Sequence, residues 1–456
     1  MKVKIALDAM GGDFAPRATV EGAVMAAREL GLEVVLVGDR DLIQRELSEH
    51  VTKGLKLTIE HATEVVAMDE APMEAVLSKP HSSLHLCYEL MKRGEVGAVI
   101  SAGNSGAMMT IGIAVMGNLA GIDRPAIASL VPSLEEVTLL IDAGANTEVK
   151  AANLAQFAAM GSAYMRHLRG IAQPRVALLS NGEEDSKGND LTRSAAALLR
   201  QTGAVNYVGY LEGRDLHYAK ADVIVTDGFT GNVALKTAEG TARFALSSLR
   251  EIFTTSARGR LSYLLIRRRL KALRARLEPS EYGGAPLLGL NGAAFIAHGS
   301  SSALAIRNAL RAAANGALGE AVNREIVALM AQLTANLALP PPSKGFRALF
   351  SRMRDRLQRR ARESEAARPA REGEPAAASA RATGSLQSAN PVRDTGSLKG
   401  ESEAEHAVAR QVTVEVMPRI SSNGATTGKP AAEAAPSGPA TPPALTPPPT
   451  PPKPEH

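Results

Sequence analysis

The sequence predicts an α/β protein built on a mostly parallel sheet with helices on both faces. Three observations carry this. Short apolar runs of strand length recur over about residues 3–300, with helical patterns between them. Several of the runs are apolar at successive positions, as expected of strands buried on both faces. Five of them end in a small polar turn that opens a helix: Ile5–Asp13, Val99–Gly106, Leu139–Asn146, Val176–Asn189 and Val223–Lys236. A strand that ends in a glycine-rich turn and opens a helix aims backbone N–H groups at one spot, which suits an anion. In a parallel sheet such turns share one edge, so the five are expected to meet at one site.

Taken in order, residues 3–8 read as a buried strand. Pro16 suits the first turn of a helix over Arg17–Leu30, which Gly31 stops. Glu33–Gly38 is a strand, Asp39–Leu47 a helix and Leu55–His61 a strand. Met68–Lys92 is helical with a break near Pro80. Gly97–Ser101 and Ala126–Leu130 are strands around a helix at Ser105–Gly121, and Thr138–Asp142 is another strand. Val149–Leu168 is a helix with small residues at close-packing positions. Val176–Ser180, Tyr207–Tyr210 and Val223–Val225 continue the strands, and a helix follows from Val233. Glu281–Leu290 is a strand or loop, and helices over Ala303–Ala314 and Gly319–Leu339 complete the folded part.

Residues 250–277 break this rhythm. Eight basic residues and no acidic one lie between Arg258 and Arg276, while Ile266, Leu270, Leu273 and Leu277 share one helical face. This stretch reads as a helical hairpin, an insertion at about 245–280. Arg260, Leu264, Leu265, Arg267, Arg268 and Arg269 mark its candidate contact surface. It serves either as a dimer-forming hairpin with solvated arginines or as a surface for an acidic partner or an anionic membrane.

Composition bounds the rest. From Pro340 the apolar periodicity is lost, and the chain closes in a run rich in Ala and Pro that cannot bury enough surface to offset its ordering entropy. Residues 1–338 are therefore expected to form the folded part. A basic segment with helical spacing follows at 339–373, then a disordered tail at 374–456. A single cysteine, Cys87, excludes an internal disulfide framework and fits a reducing cytosol. Asp8 interrupts the N-terminal apolar run, so it does not read as a signal peptide. Ala107–Ile122 is shorter than the roughly 20 residues a membrane span needs and reads as a buried helix. At 3% aromatic residues and without Trp, the chain lacks stacking platforms, and nucleic acid is not an expected partner.

Dinucleotide, P-loop and zinc-protease signatures are absent, which disfavours nucleotide and metal chemistry. His81 and His85 at i, i+4 near Cys87 are a weak metal pair and read better as partly exposed helix histidines, so no metal and no cofactor is expected. The candidates lie on the turns. The first carries Asp8, Gly11 and Gly12; the second carries Asn104, Ser105 and Gly106, which form either an anion cradle or a plain N-cap. Asn146 and Asn189 close the next two. The last holds Asp227, Gly228, Thr230, Gly231 and Asn232. Lys187 is either a catalytic cation or a solvated loop lysine, and Asn232 either an oxyanion donor or a capping residue. Asp8, Asp142 and Asp227 end strands and include at least one N-cap. His298, in a small-residue turn, is an acid/base group or a structural histidine.

The chain resembles the bacterial phosphate acyltransferases, acyl-carrier-protein:phosphate transacylases of phospholipid synthesis. The matching stretches are Asp8-Ala-Met-Gly-Gly-Asp13, Ser101-Ala-Gly-Asn-Ser-Gly106, Gly121-Ile-Asp-Arg-Pro125 and Gly188-Asn189. Val225-Thr-Asp-Gly-Phe-Thr-Gly-Asn232, Tyr282-Gly-Gly284 and Ala297-His-Gly-Ser-Ser301 follow in family order. Singly they are weak; together, over about residues 1–338, they are specific. The resemblance implies a three-layer αβα sandwich like that of phosphotransacetylases and isocitrate-type dehydrogenases. It implies transfer of a fatty acyl group from an acyl-carrier-protein thioester to inorganic phosphate. It also implies a cytoplasmic homodimer loosely attached to the membrane, handing acyl phosphate to a membrane-bound glycerol-3-phosphate acyltransferase. Lys187 and Asn232 fall on positions associated with the family's active site. Phosphate is already a nucleophile near neutral pH, so N–H donors and one lysine suffice and no nucleophilic triad is required. The competing readings are a short-chain phosphotransacetylase using coenzyme A and a non-catalytic, membrane-tethered scaffold. The missing nucleotide fingerprint counts against a hydride-transferring enzyme.

Overall fold

The computed structural model describes residues 3–134, 137–277, 283–315 and 319–336. The basic segment at 339–373, the tail at 374–456, Tyr282 and the expected end of the last helix lie outside these residues. β1 (Lys4–Asp8) leads to α1 (Arg17–Leu30), which Gly31 stops at φ 63°. β2 (Glu33–Gly38) precedes α2 (Arg40–Ser48), whose N-cap Asp39 accepts from the N–H groups of Asp41 and Leu42. β3 (Leu57–His61) follows, and the expected break near Pro80 separates α3 (Pro72–Ser78) from α4 (Ser83–Lys92). Next come β4 (Ala98–Ser101), α5 (Ser105–Met116), β5 (Ala126–Pro132), β6 (Val137–Ile141) and α6 (Ala151–Arg169). β7 (Arg175–Leu179), α7 (Asp190–Thr202), β8 (Asn206–Leu211) and β9 (Val223–Val225) continue the alternation. α8 (Gly228–Thr254), α9 (Ala257–Leu277), β10 (Ala285–Leu288), β11 (Ala294–Ile296), α10 (Ala303–Ala314) and α11 (Glu320–Asn336) complete the order.

Two boundaries depart from expectation. α5 ends at Met116, short of Gly121, because Gly117 turns out of the helix at φ 76°. α8 begins at Gly228 rather than Val233, because the Asp227 carboxylate accepts the Thr230 N–H and caps it there. Gly231 and Asn232 thus lie inside the helix, not before it. A short 3-10 turn at Gly213–His217 had no signal in the apolar pattern.

The strands form one sheet in the order β3-β2-β1-β4-β11-β10-β5-β6-β9-β7-β8. Alternate residues of each strand face opposite layers. Ile5 and Leu7 belong to the buried cluster that takes in α1 and α10, whereas Ala6 belongs to the one on the other face with α4. In the other half, Leu139 and Ile141 join the first cluster and Leu140 joins a third with Leu216 and Ile224. Helices therefore cover both faces, and the architecture is a three-layer αβα sandwich. α6 can lie this close to the sheet because residue 161 is glycine: a Cβ there would sit 2.6 Å from Val223 Cγ1.

The sheet is not uniformly parallel, which corrects the expectation of a single shared edge. β10 pairs antiparallel with both β11 and β5, and β5 pairs antiparallel with β6. Hence β6, β9, β7 and β8 run opposite to β1, β2, β3, β4 and β11. The turns after β1 and β4 belong to one set and those after β6, β7 and β9 to the other. Each strand step adds about 20–25° of twist, so the five steps from β1 to β6 turn the sheet through about 100–125°. Opposed strand directions then no longer mean opposite ends of the molecule.

Candidate active site

The first set of turns is stitched tightly. Asp8 is 3% exposed; its Oδ2 accepts from the Ser101 hydroxyl at 2.7 Å and its Oδ1 from the Met10 N–H at 3.2 Å. Burial raises its pKa, opposed by these bonds, by the Gly11 N–H and by Ser83, which faces it from α4. Gly12, at φ 107°, packs on Ala102, and the Asp13 N–H donates to the Gly299 carbonyl at 2.8 Å. The loops after β1, β4 and β11 therefore touch one another.

Asn104 is the N-cap of α5. Its Oδ1 accepts from the Ala107 N–H at 3.0 Å, while its Nδ2 donates to the carbonyls of Glu70 at 2.8 Å and Met68 at 3.1 Å. The expected role of this side chain in an anion cradle is thus displaced: both its ends hold protein. The opening N–H groups of Ser105 and Gly106 have no intrahelical acceptor, and Ser105 is exposed. The donors left at this helix head are the opening backbone N–H groups and the exposed Ser105 hydroxyl.

The second set surrounds the head of α8. Asp142 is fully buried and accepts from the N–H groups of Gly144, Ala145 and Asn146 and from the Asn146 side chain. Asn146 also donates to the Pro125 carbonyl, so it braces the turn from within and does not face substrate. Burial raises the Asp142 pKa against these bonds. The Gly228 N–H is taken by the Asn146 carbonyl at 2.7 Å and that of Thr230 by Asp227 at 2.8 Å. Asp227 is accordingly an N-cap. Asn232 is exposed and lies over Gly144, whose φ is 136°.

Lys187 is exposed in the turn after β7, its stem packed over Gly182. Neighbouring carboxylates there are paired, Glu183 with Lys220 at 2.7 Å and Asp190 with Arg193 at 2.6 Å. Asn189 caps α7, exchanging bonds with Thr192. Because β7 runs beside and parallel to β9, Lys187 and Asn232 follow neighbouring strands.

What links the two sets is α8 and the turn after β6. Ala143, Ala145 and Leu235 pack in the cluster that contains Met108 of α5 and Ile296 of β11. His298 carries the same message. Partial burial lowers its pKa, and the charges of Lys236 and Arg243 on α8 act in the same direction against those of Glu239 and Asp13. The Ser300 N–H donates to His298 Nδ1 at 3.2 Å, leaving that nitrogen as an acceptor in the neutral ring. Sequence reasoning passed over Ser83, Ser101, Lys236 and Glu239; only Ser101, at a strand end before a glycine turn, carried a local signal.

The histidine pair also departs from expectation: His81 precedes α4, and only His85 lies on it. His85 is 5% exposed rather than on the helix surface, and among the described residues no cluster suited to a metal ion occurs. On the hairpin, Arg260, Arg267, Arg268 and Arg269 are exposed, as are Leu264 and Leu265, the latter 81% exposed. Arg276 at its end anchors it to the carbonyls of Ser133 and Leu134. No helix among the described residues is long and apolar enough to cross a membrane.

Residues 3–324 match the family model described as fatty acid synthesis protein. A phosphate acyltransferase of Geobacter sulfurreducens is 48% identical over 340 residues, spanning 73% of this chain and 98% of the relative. One from an Anaeromyxobacter species is 48% identical over 337 residues, 74% of this chain and 92% of the relative. Among solved structures, a phosphotransacetylase from Streptococcus pyogenes aligns at a TM-score of 0.46 and 18% identity over 70% of this chain and 94% of that one, which adds nothing to the topology already described. The match over nearly the whole length of these relatives is decisive: the chain belongs to the fatty acid synthesis protein family, among the phosphate acyltransferases.

Proposed function

We propose that this protein is a phosphate acyltransferase that moves a fatty acyl group from an acyl-carrier-protein thioester to inorganic phosphate, feeding phospholipid synthesis. The observation that carries the reading is the head of α5, where the Asn104 side chain is engaged by protein, Ser105 is exposed, and the N–H groups of Ser105 and Gly106 have no intrahelical acceptor. Such a head with no acidic residue in its first turn suits phosphate. The head of α7 suits it less, because Asp190 opens that helix.

In this reading phosphate rests at the α5 head, Lys187 offsets its charge, and a phosphate oxygen attacks the thioester carbon. Asn232 donates to the oxyanion that develops, and collapse expels the carrier thiolate. His298, whose Nδ1 meets the Ser300 N–H and hydroxyl, serves in this reading as a proton donor. Residues 1–338 form the catalytic domain with the hairpin as an insertion. The exposed arginines of α9 suit the acidic carrier protein, and Leu264 and Leu265 suit a second copy of the chain or the membrane surface. A cytoplasmic homodimer resting on the membrane then passes acyl phosphate to a membrane-bound glycerol-3-phosphate acyltransferase.

The test is phosphate-dependent release of free carrier protein from a long-chain thioester, with acyl-coenzyme A as the comparison substrate and with residues 340–456 present or removed. Release without phosphate, or faster turnover of short-chain coenzyme A thioesters, sends the chain to the competing readings.

A further inference from the structure

Asp8 ends β1 beside the head of α5, where a substrate-binding role is the natural reading. Its surroundings give it different work. With 3% of its surface exposed it has no face for an anion. Its Oδ2 takes the single proton of the Ser101 hydroxyl, 2.7 Å away. That leaves the Ser101 oxygen as an acceptor, and it receives the Gly103 N–H at 3.0 Å. Gly103 immediately precedes Asn104, the cap of α5.

The packing at this junction has no slack. A Cβ on Gly11 would lie 2.6 Å from Asp8 Oδ2, 2.8 Å from Ser101 Oγ and 2.8 Å from Gly103 N. The carboxylate, the hydroxyl and the turn after β4 thus converge on one point of the turn after β1. A buried carboxylate is costly to desolvate, and retaining one needs hydrogen bonds to both oxygens, which Met10 and Ser101 supply. An apolar residue here would fill the space without orienting anything.

We infer that Asp8 is a positioning residue for phosphate: through Ser101 and Gly103 it fixes the turn that presents the Ser105 and Gly106 N–H groups. This rests on the phosphate acyltransferase reading. The two are separated by what moves. A positioning role at the cradle acts on phosphate and spares the thioester, whereas a general loosening lowers turnover and melting temperature alike.

The experiment uses the full chain with Asp8→Asn, Ser101→Ala and the double variant, reading kcat, KM for phosphate, KM for the acyl-carrier-protein thioester and melting temperature. Each single variant is expected to raise the phosphate KM about tenfold with the thioester KM within about twofold of wild type. The double variant is expected to be no worse than the worse single, because both changes cut one relay. An unchanged phosphate KM in either folded variant, or effects that multiply in the double, overturns the inference. If Asp8→Asn does not fold, the milder Ser101→Ala decides alone. Wild-type protein without phosphate-dependent turnover refutes the acyltransferase reading instead; the rise in melting temperature with inorganic phosphate, compared across the same variants, then decides the positioning role.

Discussion

Gly231 tests whether the head of α8 has to lie where it does. An alanine Cβ there would sit 1.9 Å from the Asp142 carbonyl oxygen and 2.9 Å from Thr226 Cγ2. Ordinary contact begins at 3.4 Å, so one side must yield by about 1.5 Å. Asp142 cannot retreat easily, since it is fully buried and its carboxylate binds three successive N–H groups. The helix head moves instead and carries Asn232 with it. Misplacing a reacting group by about 1 Å costs about 10²-fold in rate, and overpacking costs about 1–3 kcal/mol of stability. Gly231→Ala should therefore lose about 10²-fold in thioester-dependent thiol release and melt several degrees lower. Gly228→Ala, with contacts of 2.7 Å to the Asn146 backbone, should show a smaller loss of the same kind. Gly240→Ala is the control: nothing lies within 4 Å, so it should keep the wild-type rate and gain up to about 1 kcal/mol of helix propensity. Wild-type turnover and melting in Gly231→Ala, or an equal loss in Gly240→Ala, would show that the α8 head is not held by this contact.

Asn232→Ala and Lys187→Ala should fold normally and lose about 10²–10³ in acyl-phosphate formation; wild-type turnover removes either residue from the mechanism. Reversing Arg267, Arg268 and Arg269 to Glu should weaken carrier-protein binding and flatten its salt dependence, measured by titration at several ionic strengths, and unchanged binding rejects docking there. His85 sets part of the pH dependence of stability. Burial, then the charges of His81 and Lys92, pull it down to about 4, and its Nδ1 is buried without a partner. As pH falls the unfolded chain takes up the proton first. The contribution is full above about pH 6.5 and is lost as pH falls through 4, about 3 kcal/mol in all. Asp8 and Asp142, raised by burial, act in the opposite sense, so the readout is the difference between wild type and His85→Asn in urea unfolding across this range. Parallel curves for the two proteins would exclude His85.

Much of the fold was legible because its signals are local. The apolar runs of β1 and β2, the stop at Gly31 and the break at Pro80 all act within a few residues. Strand direction was not legible. A strand buried on both faces reads the same whichever way it runs, and periodicity carries no sign. The reversal enters at β5 and β6, whose antiparallel pairing of Ala128 with Ile141 is a tertiary choice. The start of α8 was missed for a related reason. Gly228 and Gly231 read as turn glycines, yet they are helical residues kept bare by the closeness of Asn146 and Asp142.

The candidate site divides along the same line. Asn104 and Asp227, for which capping was an open alternative in the sequence, each accept an N–H three residues ahead, and Asn189, read only as a site residue, does the same. Asp8 and Ser101 meet across 93 residues, and nothing local announces that pair. Once the caps and braces are assigned, the exposed groups on these turns include Ser105 at the head of α5, Lys187, Asn232 and His298. An attacking phosphate needs donors and one cation, and a developing oxyanion needs one more donor. Asn104, Asn146 and Asp227, which looked like ligands, hold the backbone in place, and in the proposed reading that rigidity is what would let few donors keep their geometry during the reaction.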